Sequence, residues 1–320
     1  MLLSVASAQQ GRGTILGTVT DPAGAAVPGA AVVVTNSDTN VAFRTTTSSE
    51  GYYTTPGLVV GRYAVTAEAQ GFKKAVRTGI TLEVDQKASV NFVMELGSLA
   101  ESIEVTSDAP LVNVSSATMG NVVENRRVQD LPLNGRNVLN LVLLTPNVRN
   151  NSAPTGSGIA ERGYAVANIS INGGQGGYNS FAIDGANAQN TVLNELNVNP
   201  APDAVQEFKV QSVASSAEYG FTLGGTVNVA TKSGTNEYHG TLYDYLRNDK
   251  FDARNAFSKT ISPLRYNQYG GALGGPVWIP KVYDGHNRSF FFFNYEGYRR
   301  KAWGDSYATV PPMDQRTGDF

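Results

Sequence analysis

The sequence predicts a mainly β protein in three successive parts: a β-sandwich, an α+β region, and the first strands of a transmembrane β-barrel. Three observations carry this reading. Short strands of period two, punctuated by Gly, Pro and Asp turns, fill the first hundred residues. One helix-bearing stretch followed by glycine-rich turns comes next. The last part carries strands of about 9–11 residues, the length a tilted membrane strand needs, and they are dense in aromatics.

Composition narrows the function classes. The chain has 320 residues, with 34 glycines, 14 prolines, no cysteine and a formal net charge of −2. A balance so near neutral offers no footprint for nucleic acid. The lack of cysteine excludes a disulfide scaffold and a thiolate metal site, and suits an oxidising compartment. No apolar run approaches the roughly 18 residues of a spanning helix, so any crossing of a membrane is by strands.

Residues 1–10, MLLSVASAQQ, look like the end of a secretory signal: Leu2, Leu3 and Val5 form an apolar remnant, and Ala6-Ser7-Ala8 fits an A-x-A cleavage site before Gln9. Export, with cleavage after Ala8, is the expectation.

Residues 11–97 alternate strand and turn. Ile15, Gly17 and Val19 alternate with polar positions, and Asp21-Pro22-Ala23-Gly24 turns the chain. Further strands are expected at Ala30–Thr35, Val41–Thr47, Arg62–Ala69, Gly79–Val84 and Ala88–Leu96. In the last, Val90, Phe92 and Met94 share a face. Short alternating strands at this density argue for a sandwich, with Val19, Val33, Val65, Leu82 and Phe92 as its expected core. The strings GTVTDPAGAAVPGAAVVVTN and SSEGYYTTPGLVVGRYAVTAEAQGF resemble the carboxypeptidase-regulatory-like module, a transthyretin-like sandwich. Zinc peptidase chemistry needs clustered His and carboxylate ligands at fixed spacing. His239 and His286 both lie far outside the module, so it is read as an accessory domain with no catalytic, metal or cofactor residues.

Residues 98–118 form a polar connector around one alternating segment. Glu101, Ser102, Ile103, Glu104, Val105 and Thr106 resemble the TonB box, an acidic residue followed by a Thr/Val/Ile-rich stretch. A short extended segment of this kind adds as a strand to a partner's sheet, with main-chain hydrogen bonds giving grip and side chains such as Ile103 and Val105 giving register. The resemblance implies a TonB-type energy-coupling protein in the periplasm as partner.

Residues 119–233 are expected to hold a helical stretch from Asn125 to Leu144, broken at Leu131-Pro132, with Val138, Leu139, Val142 and Leu143 as its apolar face. Strands are expected at Ile169–Asn172, Phe181–Asp184, Val205–Val213 and Gly225–Thr231. The strings DLPLNGRNVLNLVLLTPNV, SINGGQGGYNSFAIDGANAQN and PAPDAVQEFKVQSVASSAEYGFTLGGTVNVATKSGTNEYHG resemble the plug domain of TonB-dependent receptors. Gly173-Gly174-Gln175-Gly176-Gly177 lacks the following G-K-[ST] and helix of a phosphate loop. Candidate ligand loops, by the same resemblance, are Asn150–Gly163 and Gly185–Asn199.

From residue 234 onward, strands are expected at His239–Arg247, Tyr266–Val277 and Arg288–Tyr298. Tyr269, Leu273 and Val277 share one face, with Gln268 and Gly270 on the other. Phe291, Phe293 and Tyr295 face lipid, and Asn294 and Glu296 the lumen. The strings EYHGTLYDYLRNDKFDARNAF, YNQYGGALGGPV and SFFFFNYEGYRRKAWGDSYATVPPMDQRTGDF resemble the Oar-like branch of the same receptors. Single-chain barrels need at least about eight strands, and an open sheet in lipid leaves backbone groups unpaired. The expectation is therefore an N-terminal fragment, with the remaining strands beyond Phe320.

Taken together, the resemblance implies transport of an unidentified solute across the outer membrane, in contact with its lipid and energised through the segment near Ile103, with the sandwich and that segment in the periplasm. Two alternatives stand beside it: a surface binding or adhesion protein using the sandwich, and a SusC-like glycan importer.

Overall fold

The computed structural model describes residues 12–97, 102–106, 119–131, 133–150, 169–174, 178–189, 198–213, 222–254, 261, 263–302 and 313–316. The signal-like residues 1–10 and most of both candidate ligand loops lie outside them. The chain divides into two compact units, one of Met1–His239 with Leu273–Phe293 and one of Gly240–Ala272 with Asn294–Phe320.

The sandwich strands are β1 (Thr14–Thr20), β2 (Ala31–Asn36), β3 (Ala42–Thr46), β4 (Tyr52–Thr54), β5 (Gly61–Glu68), β6 (Lys74–Leu82), β7 (Lys87–Ser89), β8 (Phe92–Val93) and β9 (Ser102–Thr106). One sheet runs β4-β1-β7, with β8 also paired to β1; the other runs β3-β2-β5-β6-β9. Each strand turns alternate side chains inward. Ile15 and Val19 of β1 meet Val32 and Val34 of β2, Val65 of β5, and Ile80 and Leu82 of β6, all buried. Val90, Phe92 and Met94 close the core on one face, as their alternation predicts. Tyr53 is buried with them, and its hydroxyl donates to the Val90 carbonyl at 2.6 Å, which satisfies the polar tip. Gly17 allows the close approach of this segment, since a Cβ there would sit 2.0 Å from the Val90 oxygen.

Two expectations are corrected here. Val33 is not in the core: the burial pattern of β2 places Val32 and Val34 inside. Three consecutive valines carry no phase, and one residue of slip exchanges the faces. β6 starts at Lys74 rather than Gly79, because Lys74 and Arg77 lend a polar look to residues that pair with β5 from Ala75 onward.

The middle part contains β10 (Met119–Glu124), α1 (Asn125–Asp130), β11 (Val148–Asn150), β12 (Ile169–Ile171), β13 (Ser180–Ile183), β14 (Ala186–Asn187), β15 (Val205–Val213) and β16 (Thr226–Thr231). Its main sheet runs β10-β15-β16-β13-β14. The expected helix from Asn125 to Leu144 is mostly not α-helical: after α1 the chain makes 3₁₀ turns at Asn134–Arg136 and Val138–Leu144. A three-residue repeat stacks Val138 over Leu141 and Leu139 over Val142, so these four are buried and Leu143 is only partly covered. Phe208, Val210, Val227 and Val229 face them across the sheet.

The last strands are β17 (His239–Asn248), β18 (Leu264–Pro276), β19 (Trp278–Ile279), β20 (Tyr283–Asp284) and β21 (Phe290–Ala302), followed by the short helix α2 (Met313–Arg316). β17, β18 and β21 form one sheet in that order, and β19 pairs with β20. Leu242 and Leu246 of β17 are exposed, as are Leu273 of β18 and Phe293 and Tyr295 of β21. On the opposite face the Tyr243 hydroxyl donates to Glu296 at 2.9 Å, and Tyr266 donates to the buried Gln268 at 2.9 Å. An apolar outer face against a polar inner one is the alternation of a membrane barrel strand.

Candidate functional site

The segment singled out in the connector is a strand of the sandwich sheet. β9 runs parallel to β6, with Lys74 opposite Ser102, Ala75 opposite Ile103, Val76 opposite Glu104, Arg77 opposite Val105 and Thr78 opposite Thr106. Glu101 lies outside the described residues. The segment is thus held in a ladder, where the sequence places it in a linker. Parallel neighbours need a crossover between them, and its described part, residues 83–97, runs by way of β7 and β8. The return is fixed next to the start of β6: the Lys73 amide donates to the Glu95 carbonyl at 2.8 Å, and the Gly97 amide donates to the Gly71 carbonyl at 3.1 Å.

A shallow cleft of about 180 Å³ lies beside this return, between β6 and β8. Arg77 stacks its guanidinium over the Phe92 ring, 5.9 Å from the centroid, and Lys73 pairs with Glu95 at 3.6 Å. Lys74 pairs with Glu68 at 2.9 Å. These charges are half-exposed, so they fix side-chain positions more than they add stability.

The turn after β6 makes a second, polar site that sequence reasoning missed. The Val84 amide donates to the Glu207 carboxylate. Lys209 donates to the Asp85 carbonyl at 3.2 Å, and the Asn228 side-chain amide donates to the Asp85 carboxylate at 2.8 Å. Glu207, Lys209 and Gln211 lie on one face of β15, and all are buried although Phe208 and Val210 fill the other face. Burial pushes the Glu207 carboxyl up to about 7, with Glu83 and Glu124 adding to the rise and the Val84 amide and Lys209 opposing it. Burial lowers the Lys209 ammonium, against the pull of Asp85, Glu83 and Glu207. In sequence, QEFKVQSV alternates polar with apolar residues as a strand with one solvated face does, and the turn holding Glu83 and Asp85 lies in a distant part of the chain, so the site carries no sequence signal.

The β2–β3 turn makes a third polar contact. The Asn236 amide donates to the Asp38 carbonyl at 3.2 Å, and the Asn40 and Asn236 side chains both donate to Asn287 Oδ1, at 2.9 and 2.8 Å. His239 and His286 are exposed and sit near Glu237 and Asp284 respectively. Among the described residues no group of His, Asp and Glu is placed to hold a metal ion.

Residues 14–95 match the carboxypeptidase regulatory-like domain, and residues 230–320 match an outer membrane beta barrel domain. Over 285 residues the chain is 26% identical to the TonB-dependent transporter Oar of Myxococcus xanthus, covering 84% of this chain and 26% of that protein. The chain thus spans about a quarter of the length of the curated relative it matches. Among solved structures, the siderophore receptor PirA from Acinetobacter baumannii covers 62% of this chain and 26% of its own, at 20% identity and a TM-score of 0.38. Catechol 1,2-dioxygenase from Pseudomonas arvilla C-1 covers 35% of this chain and 58% of its own, at 12% identity and a TM-score of 0.22. At such scores neither likeness carries an argument. The chain is homologous to the TonB-dependent transporter Oar, with a carboxypeptidase regulatory-like domain ahead of outer-membrane beta-barrel strands, which places it in the outer membrane.

Proposed function

We propose that the chain is part of a transporter that moves a solute across the bacterial outer membrane, with Glu101–Thr106 gripped by a TonB-type coupling protein in the periplasm. Residues 1–10 are then a signal remnant, 11–97 the accessory sandwich, 98–118 the connector with its coupling segment, 119–233 the plug and 234–320 the opening strands of the barrel. The observation that carries this reading is the alignment of 84% of the chain with a TonB-dependent transporter.

The sheet order supports a route for the coupling step. Traction on residues 102–106 passes through residues 107–118 to β10, the edge strand of the middle sheet. β10 is joined to β15 from Met119 opposite Val213 to Glu124 opposite Glu207. A ladder hydrogen bond contributes a net of about 0.5–1.5 kcal/mol, so a strand at an edge is the element most readily peeled away by force. β15 in turn carries Glu207 and Lys209, which contact the sandwich turn. Peeling β10 from β15 would loosen the plug and open a path for solute.

Replacing Ile103 with Pro removes a backbone donor and fixes φ, which is incompatible with strand addition. With the full chain in detergent, the Ile103→Pro variant is expected to lose capture by the periplasmic domain of the coupling protein. Undiminished capture contradicts the assignment of this segment.

A further inference from the structure

A strand has two hydrogen-bonding edges, and the sandwich uses one edge of Ser102–Thr106. β9 ends the sheet order β3-β2-β5-β6-β9 and, among the described residues, pairs with β6 alone. β6 is itself firmly placed. It is antiparallel to β5 from Gly61 opposite Leu82 to Ala67 opposite Ala75, and its Ile80 and Leu82 are buried in the core. The segment is therefore held extended by a packed domain before any partner arrives, and its outer edge is the one open to strand addition. A short peptide of the same sequence would have to lose its backbone freedom on binding; a strand already ordered by β6 has lost it.

We propose that the sandwich is the docking platform for the coupling protein: β6 presents Ser102–Thr106 as a preformed strand, and the coupling protein adds one strand to the outer edge of β9. This rests on the reading of Glu101–Thr106 as the coupling segment, and it gives the accessory domain a role in that step. It runs opposite to sequestration, in which the partner would first have to strip β9 from β6.

The absence of cysteine makes a direct test possible. Adjacent strands lie about 4.8 Å apart, within the Cα separation of roughly 4.4–6.8 Å that a disulfide spans. Lys74 and Ser102 are register partners, so a Lys74→Cys/Ser102→Cys chain can lock β9 onto β6. The probe is the periplasmic domain of the coupling protein, titrated against the full chain in detergent and against a synthetic peptide of residues 99–110. The platform predicts that the oxidised double variant binds within about twofold of its reduced form, and that the wild-type chain binds on the order of tenfold more tightly than the peptide. Loss of binding on oxidation, or a peptide as tight as the chain, overturns the platform while leaving the coupling segment in place. Binding of the chain that survives Ile103→Pro overturns the segment assignment itself, and the platform with it.

Discussion

Glu207 sits where a carboxyl group is better neutral than charged. It is buried under the β6–β7 turn, and the groups that face it are the Val84 amide, Glu83, Glu124 and Lys209, with Asp85 beyond the lysine. Its carboxyl is raised from 4.5 to about 7. A raised carboxyl binds a proton more tightly in the folded chain, so its contribution to stability is fully present below pH 4.5. That contribution is lost as pH rises towards 7 and stays flat above it. The size is on the order of 3 kcal/mol between those limits. Thermal unfolding of the full chain in detergent between pH 5 and 8 is expected to show the midpoint falling with pH. Glu207→Gln keeps an acceptor for the Val84 amide and has no charge to bury. It should flatten that slope and exceed the wild type at pH 8; a variant with the same slope as wild type assigns the pH dependence to another group. Nothing in the sequence marks Glu207 as buried, because an alternating strand ordinarily turns its polar face to solvent. Only the arrival of the β6–β7 turn from another part of the chain covers it.

Strands proved far more legible than what they pair with. Val205–Val213 was readable to the residue from its alternation, and β16 begins one residue after the expected Gly225. The helical stretch was readable as apolar but not as 3₁₀, since both helices bury residues three apart and differ in the fourth. Pairing was out of reach for β9, because five alternating residues do not say which edge they will meet. Phase failed at β2 for the same lack of information, and there the correction is measurable. Val34 is 1% exposed whereas Val33 is only partly covered. Val34→Ala should destabilise the sandwich by about 2 kcal/mol through lost burial and a residual cavity, and Val33→Ala by less than about 1 kcal/mol. Comparing the two midpoints checks it, and equal losses contradict the phase described above.

At the scale of the molecule, an accessory sandwich, an edge strand and aromatic barrel strands follow one another along the chain. The sheet of β17, β18 and β21 presents Leu242 and Phe293, 93% and 62% exposed, on one face, as the lipid side of a barrel strand does. Placing a charge there is expensive in a way that depends on depth: Phe293→Arg should cost about 2–4 kcal/mol if the residue lies near the bilayer centre. Reduced yield of folded protein in the outer-membrane fraction, against an unchanged yield for Asn294→Ser on the opposite face, is the expected outcome. Equal yields for both would mean that this face does not meet lipid.

In the proposed mechanism, energy enters through Ser102–Thr106. Because the chain contains no cysteine, one introduced thiol reports its own neighbours. Val105→Cys in β9 and Ser49→Cys in the exposed β3–β4 turn can each be tested in intact cells for disulfide cross-linking to a cysteine-bearing coupling protein. The account predicts a cross-link from position 105 and none from position 49. A cross-link of equal yield at both positions, or none at 105 while the protein reaches the outer membrane, would contradict it.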